Sequence, residues 1–220
     1  MPRPRTDIQP RILHAARVRF LADGVEGASL REIAKQARTS IGMVFYYYPT
    51  KDELFLAVIE EVYAKLIASL EKTLSSDKPV RDRLAAAFER LGAANDEEID
   101  IVRLVIREAL VASDRFRAVL ARFKSGHIAM MFRTLSEAMQ NGELDDRYPV
   151  PLLMLTTFGI GGVPQLIRRV AGKDLPFALP SSKELARASI EIMFDGAAKK
   201  KDQRSRAQRK PVMRKRKPAG

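Results

Sequence analysis

The chain has 220 residues, 46% of them apolar and 30% charged, so it can bury a substantial core and accommodate one domain or two small ones. It contains no cysteine, which excludes disulfides, thiolate metal sites and a cysteine nucleophile. The net charge of +12 is unevenly placed: the last 22 residues hold eleven Lys/Arg and one Asp, which leaves +2 for everything before Lys199. Within that remainder the positive excess sits at the N-terminal end, where residues 1–48 carry eight Lys/Arg against four Asp/Glu.

In chain order the sequence reads as helix after helix. Ile8, Ile12, Ala16 and Phe20 fall on one helical face with Leu13 and Ala15 beside them. Pro10 is tolerated in the first turn of that helix, and Gly24 is placed to stop it. Ser29 and Glu32 make a capping-box pattern before "SLREIAKQA". Ser40 can cap a short third helix that ends near Tyr48, closed by Pro49. Thr50 and Glu53 repeat the capping box at the head of a long helix, predicted from Lys51 to about Thr73, with Leu54, Val58, Val62 and Leu66 at spacing four.

After the break at "SSDKP", Leu84, Phe88 and Leu91 define one helix, and Ile99, Val102, Ile106 and Ala109 the next. Phe116, Leu120 and Phe123 continue into Ile128, Met131, Leu135 and Ala138. Helices from about Val150 to Val170 and from Lys183 to about Lys199 complete a set of about nine. Sustained period-two alternation is absent from the sequence, so the predicted fold class is all-α. The glycine-rich "FGIGGVP" inside the Val150–Val170 helix is expected to bend or break it, and it lacks the context of a dinucleotide loop. The run Pro149–Val163 reads as too short and too rich in glycine to span a bilayer, and "MPRPRTDIQP" is not a secretory signal. A cytoplasmic protein without a membrane partner is therefore expected, its last 22 residues disordered.

The stretch "MVFYYY", Met43–Tyr48, could be a strand by composition alone. The flanking Ser40 and Pro49 favour a helix, in which Val44, Tyr47 and Tyr48 share one side and Tyr46 points the opposite way. The link between Ala37 and Ser40 is short enough for a helix-turn-helix.

Taken together, "ILHAARVRFLADG", "SLREIAKQA" and "SIGMVFYYYPTKDEL" resemble the DNA-binding domain of the TetR family of bacterial transcriptional regulators, over about Arg11 to Leu56. The resemblance implies a helix-turn-helix domain over 1–50, a helical ligand-binding and dimerisation domain over 51–198, and a basic tail over 199–220. It implies that the third helix lies in the major groove of double-stranded DNA, with Ile41, Gly42 and Met43 near base edges and Phe45 and Tyr46 facing the duplex. Tyr47 and Lys51 match positions that grip phosphate, and Arg31 a position that reaches base or backbone; Ser40 and Arg38 complete the implied set. Val44 and Tyr48 are expected in the core. Arg38 stands where the family usually has Gly, at a cost on the order of 1 kcal/mol if the backbone there is left-handed. Ile41 stands where a polar or basic residue is common, and Phe45 replaces a frequent Tyr.

The resemblance further implies a homodimer joined around Leu152–Val170 and Leu185–Phe194, and a small-molecule effector among the central helices. Soft apolar residues gather there, Met130, Met131, Met139 and Met154 among them, and Phe88, Phe123, His127, Met131 and Phe158 are candidate ligand contacts. Plain core packing is the alternative for these methionines, as an ordinary helical position is for His127. His14 is expected on the surface; two histidines are too few for a metal cluster, and neither a cofactor nor catalysis is expected. The functional expectation is a repressor that binds a palindromic operator as a dimer and is released by an apolar or amphipathic ligand. The alternative is an architectural DNA binder that relies on the basic tail. That tail could equally be a solvated terminus, or bind anionic lipid or RNA.

Overall fold

The structure, a computed structural model, describes residues 8–111 and 114–197, the side chains of Phe123 and Ala197 excepted. The basic tail 199–220, the first seven residues and the Phe123 side chain lie outside the described residues. Among the described residues the fold is all helical, without a strand.

Three helices open the chain: α1 (Ile8–Gly27) and the shorter α2 (Leu30–Gln36) and α3 (Ile41–Tyr47). The long α4 (Lys51–Leu74) starts from the capping box read in the sequence: Thr50 Oγ1 accepts the Glu53 N–H at 3.1 Å and the Glu53 carboxylate accepts the Thr50 N–H at 3.3 Å. Then follow α5 (Val80–Gly92), α6 (Asp96–Leu110), α7 (Asp114–Phe123), α8 (Ala129–Gln140), α9 (Val150–Thr157), α10 (Val163–Ala171) and α11 (Ser182–Ala197). A π-type turn over Lys124–Ile128, kinked at Gly126, joins α7 to α8, and another over Phe158–Gly162 joins α9 to α10. The glycine-rich "FGIGG" thus widens its helix rather than breaking it, and the whole run Val150–Ala171 stays helical. Counted through that turn, the run of 22 residues is long and apolar enough to cross a membrane, where the sequence reading counted only to Val163.

Burial divides into two clusters. Ile12, Ala16 and Phe20 of α1, Ile33 of α2 and Val44 of α3 close over Leu54, Phe55, Val58, Ile59 and Val62 of α4, with Ile101 and Leu104 of α6 and Val119 of α7 behind them. The second cluster packs Leu70 and Leu74 of α4 with Leu84 and Phe88 of α5, Met130, Met131 and Leu135 of α8, and Ile190, Met193 and Phe194 of α11. The α4 helix belongs to both.

One boundary differs from expectation. Gly24 does not end α1; it kinks the helix at φ 74° and ψ 166°, and the chain turns once more to Gly27. The extra turn carries Val25 and Ala28 into the first cluster, at 2% and 3% exposure. That backbone region is essentially reserved for glycine, and a Cβ at Gly24 would also lie 2.8 Å from the Arg107 guanidinium of α6. Replacing Gly24 by Ala is expected to lower unfolding stability by about 1–3 kcal/mol, read as a shift of the urea midpoint.

Candidate nucleic-acid interface and adjoining cavity

Local chemistry fixes the α2–turn–α3 unit. Ser29 Oγ accepts the Glu32 N–H at 3.4 Å and Ser40 Oγ accepts the Met43 N–H at 3.2 Å, which satisfies an otherwise unpaired donor at each helix start. Between the helices, the Thr39 N–H reaches the Ala34 carbonyl and the Arg38 N–H the Lys35 carbonyl, both at 3.0 Å. This is a Schellman motif with Arg38 at the left-handed position, φ 53°.

Val44 and Tyr48 are buried, at 0% and 5% exposure, and anchor α3 in the first cluster, the head that α1–α3 make on the first half of α4; Phe45 and Tyr46 project from it, at 46% and 74%. Gly42 is exposed, Met43 half-buried, and Ile41 and Tyr47 pack partly against the head core. The Tyr46 and Tyr47 rings meet edge to face, 5.2 Å between centroids. Arg31, Arg38 and Ser40 are exposed on α2 and the turn. Lys51 donates to the Glu26 carbonyl at 2.8 Å, which ties the start of α4 to the end of α1 and leaves two ammonium hydrogens for other acceptors.

Behind the head lies an ionic junction that sequence reading did not find. From α7, Arg115 donates to Glu26 of α1 at 2.5 Å, to Asp52 of α4 at 3.0 Å and to the buried Glu108 of α6 at 3.0 Å. A second tie joins Arg17 of α1 to Glu97 of α6 at 2.8 Å. The guanidinium beside each carboxyl holds Glu26 and Glu97 below the usual carboxylate range. Partners 63 and 89 residues apart leave no periodic signal in sequence.

Next to this junction is a cavity of about 350 Å³, walled by α4, α5, α6, α7 and α8 and reached by Phe158. Phe88, His127, Met131 and Phe158 of the sequence-proposed set line it, as do Phe116, Val119 and Leu120 of α7. Its lining is apolar apart from Tyr63, Glu98 and His127. The Tyr63 hydroxyl and His127 Nδ1 are 2.5 Å apart, and the His127 N–H donates to the same hydroxyl at 3.3 Å. Burial pushes the imidazole below its ordinary value, so it is neutral at pH 7. Sequence reading missed Tyr63; the one local hint was Gly126, where a Cβ would come 2.5 Å from the Tyr63 hydroxyl. His14 is exposed, and no group of metal-ligating side chains occurs among the described residues.

Residues 12–58 match the family model described as bacterial regulatory proteins, tetR family. Over those residues the chain carries a TetR-family regulatory domain. It is 22% identical to the fatty acid metabolism regulator protein of Bacillus subtilis over 67% of this chain and 76% of that one. It is 26% identical to an HTH-type transcriptional repressor of Streptomyces coelicolor over 74% and 82% of the two chains. Among solved structures it resembles the transcriptional regulator FadR of Bacillus subtilis in complex with stearoyl-CoA, at TM-score 0.67 and 19% identity, covering 85% of this chain and 98% of that one. The chain is accordingly a DNA-binding transcriptional regulator, its matched segment running from α1 into the start of α4.

Three outcomes test the geometry. Replacing Arg115 by Ala takes a buried partner from Glu108 and is expected to cost about 2–4 kcal/mol in chemical denaturation. The depressed carboxyls contribute stability above the ordinary value of 4.5 that is lost as pH falls through their lower folded values, so acid weakens the junction. The R115A variant, having already lost the Glu26 pair, should show a shallower decline of stability below that pH. At the turn, Arg38→Gly relieves the left-handed strain and frees the unfolded chain, so stability should stay within about 1 kcal/mol of the parent.

Proposed function

We propose that this regulator is a repressor that binds a palindromic operator as a homodimer and is released by an apolar effector in the cavity. The observation that carries the reading is α7, one helix with two attachments. Its Phe116, Val119 and Leu120 wall the cavity, while Arg115 on the same helix grips α1 and α4 of the head. An effector that displaces α7 works on both at once, and packed elements respond by shifting as units rather than by stretching. The naming of one relative as a transcriptional repressor, and the stearoyl-CoA in a protein of the same fold, support the repressor and effector parts.

On DNA, we assign Gly42, Met43, Phe45 and Tyr46 to the groove and Arg31, Arg38, Ser40, Tyr47 and Lys51 to the backbone, with Ile41 at the margin. Arg, Lys and Tyr donors suit phosphate oxygens, and apolar edges suit thymine methyls. A single seven-residue helix touches few bases, so specificity calls for two half-sites and a two-fold protein. The apolar face that would meet the second copy is present: Leu152, Leu155 and Val163 on the α9–α10 run and Ile192 on α11 are 48%, 68%, 49% and 65% exposed. The 22-residue run is apolar on that account, and its far end is held in the protein by Arg168 on the Gly92 carbonyl and Arg169 on the Ala94 carbonyl.

Selection of bound sites from random duplexes should return a palindrome, and affinity for it should fall about a thousandfold between 50 and 200 mM salt if some six phosphates are gripped. Tyr46→Ala should leave folding stability within about 0.5 kcal/mol and lower operator affinity. Sedimentation should show a dimer at micromolar concentration, which L155E together with I192E disrupts; a wild-type monomer that binds the operator at full affinity would sink the two-fold reading.

A further inference from the structure

We propose that a second grip on the operator backbone lies in the cleft between the start of α1 and the end of α2, where Arg11, His14, Gln36 and Arg38 close on one phosphate of the duplex. The inference rests on the DNA reading above and adds Arg11, His14 and Gln36 to the surface assigned there. It starts from Arg38. This residue holds a left-handed backbone, φ 53°, which glycine takes freely and a residue with a Cβ rarely adopts. The turn itself is made by backbone groups, the N–H of Arg38 on Lys35 and the N–H of Thr39 on Ala34. A side chain kept at a strained position points to a task for that side chain.

Arg38 borders an open cleft of about 490 Å³. Arg11 and His14, one turn apart on α1, face it from the other side, and Gln36, the last residue of α2, flanks it. Ala15 and Ala37, both buried, make a low floor between the helices. The chemistry of this lining is one-sided. Two guanidiniums, an imidazole and an amide all offer N–H donors, and among the described residues no carboxylate lines the cleft. Guanidinium forks match the oxygens of a phosphate bidentately.

The location suits a strand of the duplex. Arg38 stands three residues before Ile41, the first residue of α3, whereas Tyr47 and Lys51 stand at and beyond the far end of that helix. Seven residues at 1.5 Å each span about 10 Å, and the major groove is about 12 Å wide. With α3 in the groove, Tyr47 and Lys51 meet the phosphates of one strand and the cleft meets a phosphate of the other.

The test takes the duplex that the full chain selects from random sequence and replaces its phosphates one at a time by neutral methylphosphonate. On the unmodified duplex, R11Q and R38G should each lower affinity about tenfold per half-site and flatten the salt slope by about one per half-site. Both variants should lose their sensitivity at the same single phosphate, whereas K51M loses its own at a phosphate of the opposite strand. Because the two arginines share that phosphate, R11Q/R38G should bind only slightly more weakly than either single variant. Thermal unfolding checks that each variant folds, and the exposed replacement H14A takes the place of R11Q in the scan if that one does not. Wild-type affinity in either variant, silence at two different phosphates, or fully additive losses would each overturn the proposal. So would tight binding of inorganic phosphate, by calorimetry, that the variants abolish without affecting the duplex, which assigns the cleft to a free anion. A wild type that selects no duplex removes the DNA reading together with this one; a selected duplex that every variant binds normally removes the cleft alone.

Discussion

The structure depends on one helix being buried at both ends by different partners. At 1.5 Å per residue the 24 residues of α4 extend about 36 Å. Its first half, Leu54 to Val62, is core for α1, α2 and α3, and its last turns, Leu70 and Leu74, are core for the bundle. Neither cluster can lose α4 without opening. A helix committed in this way cannot bend cheaply in the middle, because its hydrogen-bond ladder is intact from the Thr50 cap to Ser75. Any rearrangement in the bundle that tilts the lower half of α4 must therefore carry the head with it.

The tilt is constrained on the other side by α6 and α7. Arg115 suits the hub because a planar guanidinium can serve three carboxylates from three helices at once, which an ammonium on a flexible stem does less well. Such a cluster specifies position more than it stabilises: desolvating the cation offsets much of the Coulombic gain, and what survives is the register of α7 against α1 and α4. The Arg17–Glu97 pair and the close approach of Arg107 to Gly24 fix α6 against α1 in the same way. In the proposed reading the cavity sits where these constraints converge, and a small change in α7 has few places to dissipate.

The head was legible in sequence because what determines it is local. Ser29, Ser40 and Thr50 bond backbone groups three residues away, and the inward Val44 and Tyr48 follow from helical period. At Arg38 the missing glycine raised a left-handed backbone only as a condition, and the structure has it, as a Schellman turn. The bundle was legible only as a series of apolar stripes. Spacing places Phe88 and Met131 on inward faces, but it does not say that five helices leave a space between them. Tyr63 and His127, 64 residues apart, meet through a turn that periodicity reads as ordinary helix. Gly24 misled because a glycine that stops a helix and one that kinks it look alike until the buried Val25 and Ala28 beyond it are known.

The composition of α3 constrains how such a protein could regulate. Ile41 is half-buried in the head, and Gly42, Met43, Phe45 and Tyr46 present one hydroxyl and no charge. In the proposed reading, few hydrogen bonds reach the base edges, and selectivity rests on methyl contacts and on how readily the duplex takes the required groove shape. Affinity then comes from the flanks, from Arg31, Arg38 and Lys51 on each of two heads. Phosphate contacts at two fixed points tolerate a change in head separation poorly, since both sets must be in register together. A regulator that reads its site this way is released by altering the distance between heads, without any alteration of the reading helix. In the proposed reading, that is the output the paired attachment of α4 and α7 would deliver.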